Sequence, residues 1–431
     1  MLDTLKPLRF RFARIAMDLP ILNKLVSFKP NVTNDVVPPH VPRELVRQLD
    51  IYNLPGGADS VHLAWKRIQD ESPDIYFTPY YGGYWVLNRA DLIAEVFPDY
   101  ERFSSVNSIG IPPMPEKAPP MLPIASDPPE HKSFRQPINL AVAPKQLQLL
   151  SEDARQLAIE LIENLKPKGE CEFMRDFSGH LPMTIFLRLV DLPMNDREYL
   201  IGLTEVQLRG TEEERARGAM EVFEYLDRYV VARRKSPGND LLSQIVNLKI
   251  GDRPITHDEA LGEAAQVLFG GLDTVAGTMG FIAAFLAQNP DHQRQLVEDP
   301  SLIPNAVDEL VRRHSIPNIA RRVTHDMEFH GVQLKKDDQV MIPICLHGLD
   351  ERAWPDSLKV DFTRRVGDHH GFGKGQHRCP GANLARLEMR IFLEEWLKRI
   401  PKFSLKPGTK PVNLPGQVMG ISEVHLTWPT Q

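Results

Sequence analysis

The chain has 431 residues, of which 42% are hydrophobic and 25% charged, a balance that suits a soluble globular protein. A formal net charge of −6 speaks against nucleic acid as a main partner. Three scattered cysteines, Cys171, Cys345 and Cys379, exclude a disulfide framework and fit a reducing, cytoplasmic setting.

The N-terminal stretch is basic and partly apolar, but Asp18, Pro20, Asn23 and Lys24 break its apolar run and no small-residue cleavage site follows. It reads as an extension, residues 1–30, ahead of a domain spanning 31–431. Asp74 to Leu87, DIYFTPYYGGYWVL, places strand-forming aromatics on both sides of Gly82-Gly83 and predicts a β-hairpin. Ile109 to His131 carries too many prolines for helix or central strand and predicts a long irregular loop, functional or disordered. From about Pro144 to Ser315 the pattern is helical almost throughout. Ala320 to Ile344 reads as short strands with turns at His330-Gly331 and Lys336–Asp338. A last long helix covers Ala382 to Ile400 and stops at Pro401. With no repeat and no linker, the expected fold is one large domain, mainly α with small segregated β sheets, of the α+β class.

Within the helical region, Thr256 and Glu259 form a capping box ahead of a helix from His257 to Gln288, roughly 48 Å long at the usual rise. It is apolar almost all round and should run through the core. A membrane span is not expected, because Asp273 would sit at its centre and no basic flank orients it. Thr274 follows Gly270 by four residues, so its hydroxyl can take that carbonyl, bend the helix and leave a notch for a small ligand. A buried Asp273 needs a partner or a task; a satisfied core Asp–Thr pair is the plainer alternative. Downstream, Glu309 and Arg312 lie three apart on one helical face.

The stretch GFGKGQHRCPG, Gly371 to Gly381, puts Cys379 at the start of a helix, beside Arg378 and after glycines that permit tight turns. Helix-terminal N–H groups and cationic neighbours favour a thiolate, which suits a metal ligand or a nucleophile. A buried structural cysteine competes with these readings. So does a zinc hydrolase site built from His369, His370, His377 and Cys379, although the spacing does not support it.

Phe372 to Gly381, FGKGQHRCPG, resembles the haem-binding signature of the cytochrome P450 monooxygenases, and Gly270 to Thr274, GGLDT, resembles their oxygen-activation motif. The resemblance implies the cytochrome P450 fold, with haem b (iron protoporphyrin IX) between the long central helix and the cysteine loop. Cys379 would be the axial thiolate to iron. Asp273 and Thr274 would deliver protons to bound O2. His131, Arg135, Arg321, His377 and Phe372 would hold the cofactor, and Glu309, Arg312 and Arg364 would form a buried structural triad.

PPHVP, FSS, SDPPEH, GGLDTV, EFHGVQLKK and GLDER extend the likeness to the camphor-hydroxylating branch over about Pro38 to Trp428. That implies a substrate pocket of Pro119, Met121, Leu122, Gln266, Phe269, Ile319 and Val418. There are departures. Pro119 stands near a tyrosine donor's place, and Gln266, Phe269 and Ile319 replace a leucine, a valine and an aspartate. Gln417 replaces an isoleucine. Arg209 aligns as a proton-network partner of Asp273, whereas Ile201 replaces a lysine. The implied reaction is hydroxylation of an unactivated C–H bond in a small apolar cyclic terpenoid: a monoterpenoid such as 1,8-cineole or a camphor-like ketone, or a norisoprenoid such as ionone. The implied electron source is a [2Fe–2S] ferredoxin with an NADH-dependent reductase, steered by Arg135, Lys374 and Arg378. A haem-binding sensor or carrier without turnover is the alternative of a different class.

Overall fold

The computed structural model describes residues 37–113, 118–209 and 212–430. The expected extension, residues 1–30, and residues 114–117 of the proline-rich loop lie outside them. The elements that build the site are, in chain order, β1 (Ile75–Thr78), β2 (Tyr84–Leu87), α1 (Ala90–Val96), β3 (Phe103–Ser104), α2 (Glu130–Ala141), α3 (Pro144–Leu165), α4 (His257–Gln288), α5 (Ile303–Arg313), β4 (Asn318–Val323), β5 (Gln339–Pro343), α6 (Ile344–Leu349) and α7 (Ala382–Arg399).

The predicted hairpin forms: β1 and β2 pair antiparallel with Ile75 opposite Leu87, and Gly82 and Gly83 both take positive φ in the turn. The hairpin is one edge of a five-stranded sheet ordered β1-β2-β5-β4-β3, in which only the β2–β5 contact is parallel. The remaining strands form small sheets of two or three strands. Two of them interrupt the region expected to be helical almost throughout: 170–172 pairs with 425–427, and Lys249–Ile250 with Arg253–Pro254. Both are two or three residues long, too short to register as a strand pattern in sequence.

α4 starts on the expected capping box, with the Thr256 hydroxyl accepting from Glu259 N–H and the Glu259 carboxylate accepting from Thr256 N–H. It runs unbroken to Gln288 through the core. Leu261, Leu268 and Leu272 belong to one apolar cluster, and Met279, Ile282 and Leu286 to the larger one. It is long and apolar enough to cross a membrane by length and composition, and its buried faces are spent inside this domain. α3 and α7 pack together and close the far side, where Phe173, Phe177, Phe392 and Trp396 meet edge to face or stacked.

Burial sets opposing titrations in this core. His62, His347 and His370 are held near pKa 3, 3 and 4, and His314 well below the ordinary value, chiefly by desolvation. Glu263 and Glu388 are held well above theirs by the same cause. As pH falls below 6.5 the unfolded chain gains histidine protons that the folded chain refuses, so stability drops on the acid side. As pH rises above 4.5 the unfolded chain loses carboxyl protons that folded Glu263 and Glu388 keep, so these two acids destabilise progressively toward alkali. Thermal unfolding of the holoenzyme should therefore peak near neutrality. Glu263→Gln should raise Tm at pH 8 and by much less near pH 5. An equal shift at both pH values would show that Glu263 is ionised in the folded protein.

Candidate functional site

Cys379 lies on the loop that leads into α7, with Gly381 as the helix N-cap. The loop folds back on itself: Cys379 N–H donates to Phe372 O at 2.8 Å and Gly373 N–H to His370 O at 2.7 Å. Gly373 and Gly375 take φ of +70° and +69°. A Cβ on Gly375 would lie 2.8 Å from Pro98 Cα, so this residue has to be glycine both for its conformation and for the close approach of the segment after α1. Arg386, one face along α7, stacks over the Phe372 ring at 4.5 Å and donates to Asp308 on α5 at 2.7 Å. The loop is thus tied to two helices. Burial pushes the Cys379 thiol upward, while a hydrogen bond from Gly381 N–H and the charges of Arg135, Arg378 and Arg386 pull it down. The groups expected to favour a thiolate, helix-terminal N–H and cationic neighbours, are in place with burial opposing them, and metal coordination is what would deprotonate such a sulfur outright.

Around this loop the chain gathers cations. His131 and Arg135 stand four apart on one face of α2. Ile319 and Arg321 stand two apart on one face of β4. The rings of His131 and His377 meet edge to face at 4.4 Å. Arg135 donates to the Arg378 carbonyl. His131 Nε2 and Arg321 Nη2 are buried with no hydrogen-bond partner. Desolvation and mutual repulsion hold His131 near pKa 4 and His377 near 2, and burial lowers Arg321 to about 10. The carboxylate that offsets them, Asp127, already accepts from Ser104 Oγ at 2.5 Å and Ser105 N–H at 2.9 Å, and Ser105 Oγ lies 3.0 Å from His377 Nε2. Two buried nitrogens without partners, with Arg135 beside them, leave room for added hydrogen-bond acceptors beside the cysteine loop, and the two propionates of haem fit that requirement.

On α4, the Thr274 hydroxyl donates to Gly270 O at 2.7 Å and Thr278 repeats the pattern onto Thr274 O at 2.7 Å. The helix accommodates both bonds without a break. Gln266, one turn earlier, lays its amide nitrogen against Gly270, 3.1 Å from where a Cβ would stand. Asp273 Oδ1 is buried without a partner, and desolvation raises its pKa to about 7. Arg209 ends the helix Arg197–Arg209, but its side chain lies outside the described residues, so its expected pairing with Asp273 does too. The proline-rich loop returns onto α4 at Gly262, where any Cβ would meet Pro120 O at 2.0 Å. Met121, Leu122 and Phe269 join the apolar cluster on that side, Pro119 is buried there, and Ile319 packs on the larger core. Val418 is 44% exposed.

The Cytochrome P450 family profile matches residues 165–426. The chain belongs to the cytochrome P450 family. It is 36% identical over 409 residues to probable cytochrome P450 127A1 of Sinorhizobium fredii, covering 93% of this chain and 99% of that one. It is 27% identical over 365 residues to linalool 8-monooxygenase of Pseudomonas putida, covering 80% and 90%. Among solved structures, that of CYP101J2 superposes with a TM-score of 0.82 at 38% identity, covering 92% of this chain and all of the other. The chain is accordingly a haem-b monooxygenase of the cytochrome P450 family, using O2 and a redox partner.

The cytochrome P450 fold also puts the surrounding residues in context. Glu309 and Arg312 are both 0% exposed and paired through two hydrogen bonds, at 2.7 and 2.9 Å, and Arg364 adds a third at 3.3 Å. The histidines weighed as zinc ligands turn to different partners: His369 to Asp308, His370 onto the His347 ring, and His377 to Ser105. Sequence reading missed Ser104, Ser105 and Asp127. The SDPPEH stretch carried the signal, since an aspartate before two prolines at a helix start is free to bond elsewhere.

Proposed function

We propose that this cytochrome P450 hydroxylates an unactivated C–H bond of a compact, apolar cyclic terpenoid, either a monoterpenoid of the 1,8-cineole or camphor type or a norisoprenoid of the ionone type. The catalytic domain is residues 31–431, and the enzyme works in the cytoplasm with a [2Fe–2S] ferredoxin and its NADH-dependent reductase. The observation that carries this reading is the pair of buried nitrogens without partners, His131 Nε2 and Arg321 Nη2, in a cluster that Arg135 and His377 tie to the Cys379 loop. Support for the substrate class comes from the apolar cluster that Met121, Leu122 and Phe269 join and from a relative whose name assigns it linalool, itself a small terpenoid.

In this reading Cys379 Sγ holds the iron. His131, Arg135, Arg321 and His377 hold the propionates, and Phe372 braces the loop. Haem bound there supplies the activation of O2 for insertion of one oxygen atom. Thr274 keeps its hydroxyl proton directed along the helix at Gly270 O and can turn it outward. Asp273, with a pKa of about 7, holds or releases a proton at neutral pH, and Arg209 is the proposed cationic partner that orients its carboxylate without itself giving up a proton. Met121, Leu122, Phe269, Ile319 and Val418, together with Pro119, exclude water, and Gln266 is the donor for a ketone or ether oxygen. Basic Arg135, Lys374 and Arg378 face the electron donor.

Two measurements test it. Titration of the ferric protein with 1,8-cineole, camphor and β-ionone should give the low-spin to high-spin optical shift with at least one of them. Thr274→Ala should keep consuming NADH while product per NADH falls by roughly an order of magnitude or more. Unchanged product per NADH would overturn the proton-delivery role of Thr274, and haem uptake with no product from the parent protein would favour the carrier.

A further inference from the structure

Gln417 is the residue where this chain departs from the camphor branch without an evident chemical use. Its side chain is fully engaged. Oε1 accepts from Ile111 N–H at 2.9 Å, and Nε2 donates to Ile109 O at 3.2 Å and to the Asn318 carbonyl. Its own carbonyl accepts from Asn318 N–H at 2.8 Å. One side chain therefore joins three segments that are far apart in sequence: the start of the proline-rich loop, the first residue of β4 and the turn that carries Val418.

The neighbouring groups complete the anchor. Ile109 O also accepts from Ala320 N–H at 3.2 Å, Gly110 O accepts from Gln339 Nε2 at 3.2 Å, and Ile111 O accepts from the Tyr52 hydroxyl at 2.7 Å. Residues 109–111 thus spend their polar backbone groups on side chains and strand from elsewhere rather than on loop structure of their own. Beyond them the loop continues to Pro120, which rests on Gly262 of α4. Ile319 follows Asn318 on β4, and Val418 follows Gln417 itself. An apolar isoleucine at position 417 could make none of these three side-chain bonds.

We infer that Gln417 is a positioning residue for substrate recognition: its amide fixes the base of the proline-rich loop against the Ile319 and Val418 walls and so sets the shape of the pocket. It touches neither substrate nor cofactor in this role. The inference rests on those two residues lining the pocket, which belongs to the proposed function.

The test uses the haem-loaded ferric protein and the variants Gln417→Leu and Gln417→Glu. The glutamate is isosteric, still accepts from Ile111 N–H, and cannot donate to the two carbonyls at pH 8, so it remains informative where the leucine variant folds poorly. Hydrogen–deuterium exchange of the peptide covering residues 105–113 should quicken about tenfold or more in both, the expected loss for two ordinary hydrogen bonds, with α7 peptides unchanged. Spectral titration with imidazole and 4-phenylimidazole gives the second readout. Both ligate iron, but only the bulky ring needs the pocket wall. The 4-phenylimidazole dissociation constant should shift about tenfold relative to imidazole. Unchanged exchange overturns the anchor. Faster exchange with an unchanged azole ratio overturns the positioning role and leaves a bond of local stability only. Neither arm needs a terpenoid, so the inference stands or falls separately from the substrate reading.

Discussion

Cys379→Ser should give a protein that folds and takes up haem, yet shows no long-wavelength Soret band when reduced under carbon monoxide and forms no detectable product. The loop should survive, because its shape rests on backbone bonds that serine keeps: Cys379 N–H to Phe372 O, Gly373 N–H to His370 O and Ala385 N–H to Gly381 O. The cation-rich cluster should survive as well, so the propionate partners can still seat a cofactor. What is lost is the anion. A serine hydroxyl has far too high a pKa to ionise beside Arg135, Arg378 and Arg386, whereas a thiol near them needs only the metal to lose its proton. A neutral oxygen donates little electron density to iron, and the push that favours O–O cleavage goes with the sulfur. Cys345→Ser is the matched control. Cys345 is fully buried in the main cluster and burial pushes its thiol strongly upward, the signature of a packing residue. Its serine variant should lose stability and keep the band. If instead the Cys379 variant retains the band, sulfur from position 379 is not the ligand and the proposed site is wrong at its centre.

The parts of this site that could be read in the sequence are those whose partners lie within a turn or two. The helix period puts Thr274 on Gly270 O and Glu309 beside Arg312, and glycines at 373 and 375 announce positive φ. The capping box at Thr256 is equally local. Arg364 was assigned to the triad only by likeness to the family, since 55 residues separate it from Glu309. Contacts such as Ser105 to His377 or Gln417 to Ile111 span 272 and 306 residues, and no local pattern encodes them. They depend on how β4 and the C-terminal turn are brought beside the loop. Glu263 escaped notice for another reason. It lies one turn after Glu259 near the capped end of α4, and only packing shows that it is 0% exposed with both carboxylate oxygens unpartnered. The desolvation that opposes ionisation of Cys379 is hidden in the same way, because helix-end electrostatics is visible in sequence and burial is not.

The largest loss of stability is expected at Arg312. Its guanidinium is wholly buried and acts as a five-way junction: it bonds both oxygens of Glu309 and the carbonyls of Gly348, Ser357 and Lys359. Gly348 is itself obligatory there, since a Cβ would meet the Arg312 carbonyl at 2.2 Å. Arg312→Leu removes the cation and leaves the Glu309 carboxylate in a dry site, with Asp361 N–H at 3.0 Å and the more peripheral Arg364 at 3.3 Å as its remaining donors. Breaking such a pair costs roughly 3–5 kcal/mol, and three carbonyls lose a donor in addition. Glu309→Gln should cost less, because Arg312 keeps its carbonyl partners. Arg364→Ala should cost least, because Glu309 keeps both bonds from Arg312. Lysine cannot rescue position 312: one ammonium on a flexible stem does not reach five acceptors spread around a plane. The double variant Glu309→Gln/Arg312→Leu should be less damaged than the sum of the singles, since no buried charge is left stranded. Guanidinium unfolding of the holoenzyme, with haem release followed in parallel, reads all four. An Arg312→Leu variant within about 1 kcal/mol of the parent would mean the buried pair adds nothing beyond what apolar packing supplies, an outcome known for some buried ion pairs when both partners are replaced but not when one is left behind.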